Sequence, residues 1–424
     1  TSGYADNALY ISAQEASYPN ILAHQFAKAG GGDFTQPLMA DNYGGLLLGG
    51  QQIANTRLVL AFDAEGNPMP KNLNETPTTE VTNVLSGPFN NMGVPGMKSF
   101  HLFAEGYGNA EGVLAGTANP YFVRMASTPN ATILGDAVAQ NPTFFSLWIG
   151  KNDILSFATS GGVGVAQTGN LDASTYSSND ITDPELFKMV YSQTVDALIA
   201  AGAEEGVVNA VPDVTVAPFF TRVPYAPLSP ANPSFGPMIP KLNETFASLN
   251  QIILAYRGID ESNGDTPYSI EFDPAGASPL VIRDEALVDI SAQIKGALMN
   301  AGYPEALAAK YGEQFGQARQ ATAEDRVLLT SASAIAEVDM AVLQSWMVAG
   351  NAIGMTQEQA GQLSVRGITL PMADQYVLTA DEVEILNNAR VQFNTAIQAI
   401  AQSKGLAYVA VSYTHLTLPT KRIV

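Results

Sequence analysis

Apolar residues recur at helical spacing in several stretches of the chain, and short uninterrupted apolar runs follow two of them. Ile21, Leu22, Phe26 and Ala29 fall on one face of a helix predicted over residues 17–29 and ended by three glycines. Asp183 to Ala203 carries the stripe Leu186, Val190, Val195, Leu198 and Ile199, and GVVNAVPDVTVAPFF follows it directly as a strand. The same unit recurs near the carboxyl end. Thr379 and Glu382 form a capping box, Leu386, Ala389, Phe393, Ile397 and Ile400 make the stripe, Gly405 stops the helix, and LAYVAV is the strand. Phe144 to Ile149 is almost wholly apolar, which predicts a central strand covered on both faces, with Gly-Lys-Asn-Asp at its carboxyl end. Upstream, TRLVLAF at 56–62 reads as a strand closed by an Asp-Ala-Glu-Gly-Asn turn. Residues 35–55 read as a long polar stretch, and 63–88 as a surface loop that could reach over a site.

Helix followed by strand, repeated, predicts an α/β fold with a parallel sheet and helices on both faces. Residues 221–370 break that alternation. They open on the proline-rich TRVPYAPLSPANPSFGPMIP and continue with helical stretches near 244–256, 285–316 and 335–348. This segment is read as a large, mainly helical insertion, a possible cap, between a core of residues 1–220 and a last core helix and strand at 371–411. No internal repeat is present.

Composition narrows the classes. With 424 residues and 46% hydrophobic content the chain can bury a large core. Forty acidic against twenty basic residues give a formal charge of -20 and no basic stripe, which argues against nucleic acid and anionic lipid as partners. There is no cysteine, so disulfides, thiolate metal sites and a cysteine nucleophile are excluded. No apolar run approaches the roughly 20 residues that span a bilayer.

In an open α/β sheet, ligands bind beyond the carboxyl ends of the strands, which directs attention to Gly150, Lys151, Asn152 and Asp153. A neutral amide such as Asn152 can donate a hydrogen bond to a tetrahedral oxyanion without titrating. An alternative is that Asn-Asp only forms a turn and caps the next helix. The turn in NNMGVPGMKSFHL offers backbone N–H groups at Gly96 and Met97, the other common source of oxyanion donors, or it is an ordinary type II turn. Phe219, Phe220 and Tyr225 could line an acyl pocket or belong to the core. Of the three histidines, His24 lies on the first helix, His101 sits among apolar neighbours, and His415 follows a serine rather than an aspartate, so none presents itself as a general base. No metal-ligand spacing and no phosphate-binding glycine loop occurs, so neither metal nor cofactor is expected.

Taken together, TSGYADNALY, MGVPGMKSFHL, FFSLWIGKNDIL followed by FATSGG, and VVNAVPDVTVAPFFTRVPY resemble the blocks of SGNH/GDSL-type hydrolases, in a bacterial branch with a large insertion. The resemblance spans about residues 1–411. It implies a three-layer flavodoxin-like fold and a serine ester hydrolase of the lipase, esterase or acylhydrolase type. Its oxyanion hole would use the Gly96 N–H and the Asn152 side chain, and its location would be the cell envelope or extracellular, possibly as a lipoprotein. In that family a Gly-Asp/Asn-Ser-Leu block comes first and an Asp-x-x-His pair last. By the resemblance the serine block would lie just before Thr1, Ser2 is not the nucleophile, and the Asp-His pair would follow Val411. The chain as given would then be inactive. Residues 412–424, SYTHLTLPTKRIV, resemble translated sequencing-adapter read-through and are expected not to belong to the natural protein. The expected partner is a small-molecule, lipid or glycan ester. Two other readings stand beside this one. One is a non-catalytic envelope protein that binds glycan or lipid on the same scaffold; the other is an insertion that binds a partner protein.

Overall fold

The computed structural model describes residues 2–62, 66, 68–257 and 268–411. Helix α1 (Ile11–Glu15) leads into α2 (Tyr18–Lys28), one residue inside the predicted bounds at each end. The expected stripe of α2 is not buried: Ile21 and Phe26 are exposed and Leu22 is half-buried. Two antiparallel hairpins follow, β1 (Leu46–Leu48) with β2 (Gln51–Ala54), and β3 (Leu58–Phe62) with β4 (Pro68–Asn72). Both correct the sequence reading of 35–55 as polar stretch and 63–88 as loop. Gly49 and Gly50, both at positive φ, make the two-residue turn that joins β1 to β2. Two prolines in five residues disguise β4, because proline is tolerated only where a strand lacks a second neighbour. Of the expected turn after β3, only Gly66 lies within the described residues.

Short helices α3 (Pro120–Val123) and α4 (Ile133–Val138) precede β5 (Phe144–Leu147), α5 (Asn152–Thr159), α6 (Pro184–Ala200), β6 (Glu205–Asn209) and α7 (Pro218–Thr221). Asp183 caps α6 by accepting the backbone N–H groups of Glu185 and Leu186 at 2.8 and 2.9 Å. Leu186, Val190, Val195 and Leu198 are buried beneath it, whereas Ile199 stands at the surface. The expected long strand after α6 is only β6; a turn and α7 take up the rest.

The chain continues through α8 (Ile239–Arg257), β7 (Val281–Arg283), α9 (Ser291–Asn300), α10 (Glu305–Phe315), β8 (Ala318–Gln320), β9 (Arg326–Val327), α11 (Met340–Ala349), α12 (Gln357–Gln362) and β10 (Val377–Leu378). Then come α13 (Ala380–Lys404) and β11 (Ala407–Val409). The capping box forms: the Glu382 carboxylate accepts the Thr379 N–H at 2.7 Å. Leu386, Ala389, Phe393, Ile397 and Ile400 are all buried, and Gly405 ends the helix in the left-handed conformation. Residues 412–424 lie outside the described residues.

The fold is mixed α/β, with one parallel sheet of order β11-β6-β5 and several two-stranded antiparallel sheets among the described residues. The central strand is therefore β6, and β5 is at the edge, which corrects the sequence reading. An apolar run reports that both faces are covered, not that both edges are paired. Both faces of β5 are indeed occupied. Phe26 of α2 meets Phe144 edge-on at 5.0 Å and Tyr18 meets Trp148 at 5.6 Å, while Phe145 points the other way into a core shared with α6.

Two large apolar cores result. One joins the parallel sheet to α4, α5, α6 and α13, with Phe187 and Phe393 stacked at 4.1 Å. The other gathers Phe246, Phe272, Ile282 and Phe315 from residues 228–377. The small β9–β10 pair connects them by strand alternation: Val327 and Val377 face the second core, Leu328 and Leu378 the first.

Glu382 lies near this junction. Burial pushes its carboxyl up to about 7, opposed by the Thr379 hydrogen bonds and reinforced by Asp374 and Glu285. A carboxyl raised in the folded state contributes stability that is complete below its unfolded value near 4.5 and is lost as pH rises through 7. For a half-buried group this amounts to about 1–2 kcal/mol after solvent screening. Glu382→Gln keeps an oxygen to accept the Thr379 N–H and stays neutral. The melting temperature of Glu382→Gln is therefore expected to gain on the parent protein steadily between pH 5 and pH 8; a difference independent of pH would refute the assignment.

Candidate functional site

At the carboxyl end of β5 the chain turns through Gly150 and Lys151 and starts α5 at Asn152. Neither Asn152 nor Asp153 caps this helix. Both side chains cross to the glycine turn instead. Asn152 Nδ2 donates to the Met97 carbonyl at 2.9 Å. The Asp153 carboxylate, fully buried, accepts the Ser99 N–H at 3.0 and 3.1 Å and the Ser99 hydroxyl at 2.6 Å. The two segments expected to supply oxyanion donors are thus laced together.

Gly96 holds a φ of +78°, and a side chain added there would meet nothing within 4 Å. Positive φ at the third position of a Val-Pro-Gly-Met turn suits a type II turn, so backbone conformation alone explains the glycine. The open space above it leaves the Gly96–Met97 backbone approachable. The Asn152 amide has two N–H groups, one engaged by Met97 and one without an acceptor among the described residues.

Gly150 plays a different part. A Cβ there would stand 2.6 Å from Val211 Cγ2 and 2.9 Å from Phe187, so the glycine is required by close packing of the loop after β6. Trp148 Nε1 ties the same loop by donating to the Ala210 carbonyl at 3.1 Å.

The segment after the turn is held by groups the sequence reading passed over. Lys98 Nζ donates to the Asp180 carbonyl at 2.6 Å, and the Lys98 N–H is accepted by His101 Nδ1 at 3.0 Å. That bond requires a bare Nδ1, and burial, with Lys98 nearby, holds the imidazole down to about 4. His101 stacks on Tyr107 at 4.4 Å. It is a neutral positioning residue for the turn, without a carboxylate partner among the described residues. His24 is exposed on α2, and His415 lies outside the described residues. Asp153, Lys98 and Ser99 carry no distinctive spacing, so only the fold reveals their association.

No protein-family model, curated protein or solved structure matches the chain.

A groove of about 820 Å³ runs along β5 between α2 and α4, with Met92, Gly93, Met97 and Ile149 at the end nearest Asn152. Phe219, Phe220 and Tyr225 do not line it. Phe220 is buried in the first core, Phe219 packs edge-on against it at 5.1 Å, and Tyr225 is exposed, its carbonyl accepting the Leu280 N–H. Among the described residues no helix is long and apolar enough to cross a membrane.

Proposed function

We propose that this chain is the larger part of a serine ester hydrolase with a flavodoxin-like, three-layer core, exported to the cell envelope or beyond it. The observation that carries the reading is the junction of Asn152 with the Gly96–Met97 turn at the carboxyl end of a parallel strand. The Asn152 amide bonds the Met97 carbonyl and so meets the turn that carries the Gly96 and Met97 N–H groups; neutral donors of these two kinds suit the developing charge of a tetrahedral acyl intermediate, and neither changes charge across ordinary pH. In this reading the serine nucleophile precedes Thr1 and the Asp-His pair follows Val411. The ester substrate is a small molecule, a lipid or a glycan ester.

Among the described residues neither His101 nor His24 is hydrogen-bonded to a carboxylate, which favours the second reading, a non-catalytic glycan- or lipid-binding envelope protein. The two separate by experiment. The 424-residue chain is expected to show no turnover of p-nitrophenyl acetate or butyrate above background. The protein read from the intact gene, if it carries both blocks, is expected to hydrolyse them. In it, Asn152→Ala should lower kcat about 100- to 1,000-fold with KM little changed and the melting temperature retained. A gene lacking either block, or an unchanged kcat in that variant, would end the hydrolase reading.

A further inference from the structure

The lobe that carries the second core meets the first core along a seam of bare backbone and carboxyl groups. From the first core come the Gly161–Gly162 turn, directly after α5, and the first turn of α13; from the lobe come the loop after β7 and residues 374–377. A Cβ on Gly161 would overlap the Asp374 carbonyl oxygen, and one on Gly162 would overlap Glu382 Oε1, so neither glycine tolerates a side chain while the seam is closed. Glu382 thus has one carboxyl oxygen on the Thr379 N–H and the other against the turn.

Three carboxyls gather in this seam. Glu285 and Asp374 hydrogen-bond to each other, which two carboxyl groups do by sharing a proton, and both act on Glu382 through their charge. Among the described residues one cation engages them directly: Arg283 Nε lies 2.6 Å from Glu285 at the solvent rim. Arg319 is taken up by Asp284 and Asp325, and Arg326 by the carbonyls of residues 323–325. Asp381, exposed in the same turn of α13, adds a further negative charge, and residues 154–166 on the opposing wall carry none. Burial pushes the Glu285 carboxyl up as it does that of Glu382; Asp374 adds to the shift at Glu285 and Arg283 opposes it. A carboxyl raised in the closed seam gives up its proton on opening. Opening is therefore favoured as pH climbs from the ordinary carboxyl range to 7, and the effect levels off above that.

We propose that this seam is a proton-held latch between the two cores, closed while Glu382 and the Glu285–Asp374 pair keep their protons and released at the Gly161–Gly162 turn as those protons leave. Release frees the far end of α5, the helix whose first residue is Asn152. The latch stands on the seam and does not depend on the hydrolase reading.

Native-state hydrogen exchange, corrected for the pH dependence of intrinsic exchange, reads the latch directly. Three amides report on it: Gly162, bonded to the Phe157 carbonyl, Tyr376, bonded to Ala373, and Val383, bonded to Thr379. Their opening ratio is expected to rise about 10- to 100-fold between pH 5 and pH 8. It should respond little to dilute urea, the mark of a local opening, whereas exchange within α6 and α10 should quicken with urea. Glutamine keeps an acceptor at each position and carries no charge, so in Glu285→Gln combined with Glu382→Gln the rise should shrink to less than about threefold. Glu285→Gln alone, at the solvent rim, serves where the double variant does not fold, and there the rise should be about three- to tenfold smaller than in the parent protein. An opening ratio that does not change with pH would overturn the proposal. So would an undiminished rise in these variants, or exchange at the three amides that follows α6 at every urea concentration, since the seam would then open only with the whole fold.

Discussion

Asp325→Ala is expected to destabilise the protein by about 3–5 kcal/mol, measured by urea unfolding of the folded chain. Arg319 and Asp325 form a bidentate pair at 2.7 and 2.8 Å, and Arg319 Nε also contacts Asp284 at 2.5 Å. All three side chains are buried. Asp325 further accepts the Thr322 N–H at 2.6 Å and the Ala380 N–H at 2.9 Å, so one carboxylate fastens the second core to the first turn of α13. Burial opposes its charge, yet Arg319 and these N–H donors hold it below the usual carboxylate range. Truncation leaves a buried guanidinium with one counter-charge and two backbone donors without acceptors, and it is the orphaned groups that cost stability. Arg319→Met combined with Asp325→Ala should therefore cost clearly less than the sum of the single losses. Additive losses, or a single loss under about 1 kcal/mol, would show that the pair is not a coupled unit.

Asp153→Ala is expected to cost about 2–4 kcal/mol and, unlike Asp325→Ala, to loosen one segment selectively. The carboxylate takes both Ser99 donors, and burial pushes its ionisation up while Ser99 and Lys98 oppose that shift. Without it the Ser99 N–H is stranded and Lys98 loses one of its two buried counter-charges, keeping only Asp180. Hydrogen exchange should then rise first across residues 96–103, before the protected amides of α6 and α13 change. Uniform loss of protection across the core would mean that Asp153 supports the whole fold rather than the glycine turn.

The parts of this structure legible from sequence are those determined by near neighbours. The Asp183 cap, the Thr379–Glu382 box and the Gly405 stop each involve groups within a few residues of one another, and the stripes of α6 and α13 follow from periodicity. The edge position of β5 was not legible, because side-chain pattern records what covers a strand and not what lies beside it. The β1–β2 hairpin hid behind a glycine-rich composition, and β4 behind its prolines. At the candidate site the Gly96 turn and Asn152 could be named in advance, but Asp153 reaching Ser99 across 54 residues could not, and neither, in the second core, could Arg319 reaching Asp284 across 35, since nothing local links them. Phe219, Phe220 and Tyr225 stood out as pocket walls for their place beside the switch into the insertion, with the core as the alternative; Phe220 lies in the core and none of the three lines the groove.

The pairing of β11 with β6 bears on the order of events at the ribosome. Ala407 lies opposite Val207, so β6 waits for about two hundred further residues before its partner on that side exists. At ~5–20 residues per second this is an interval of about 10–40 s. The residues made in that interval contain the second apolar core, which can collapse while the parallel sheet stands half built. Closing so long a loop adds little entropy cost, since the penalty grows only as the logarithm of length. The hazard is one of timing: through that interval β6 presents an edge of unpaired backbone N–H and C=O groups, and any factor that shields nascent strands would act on this protein then.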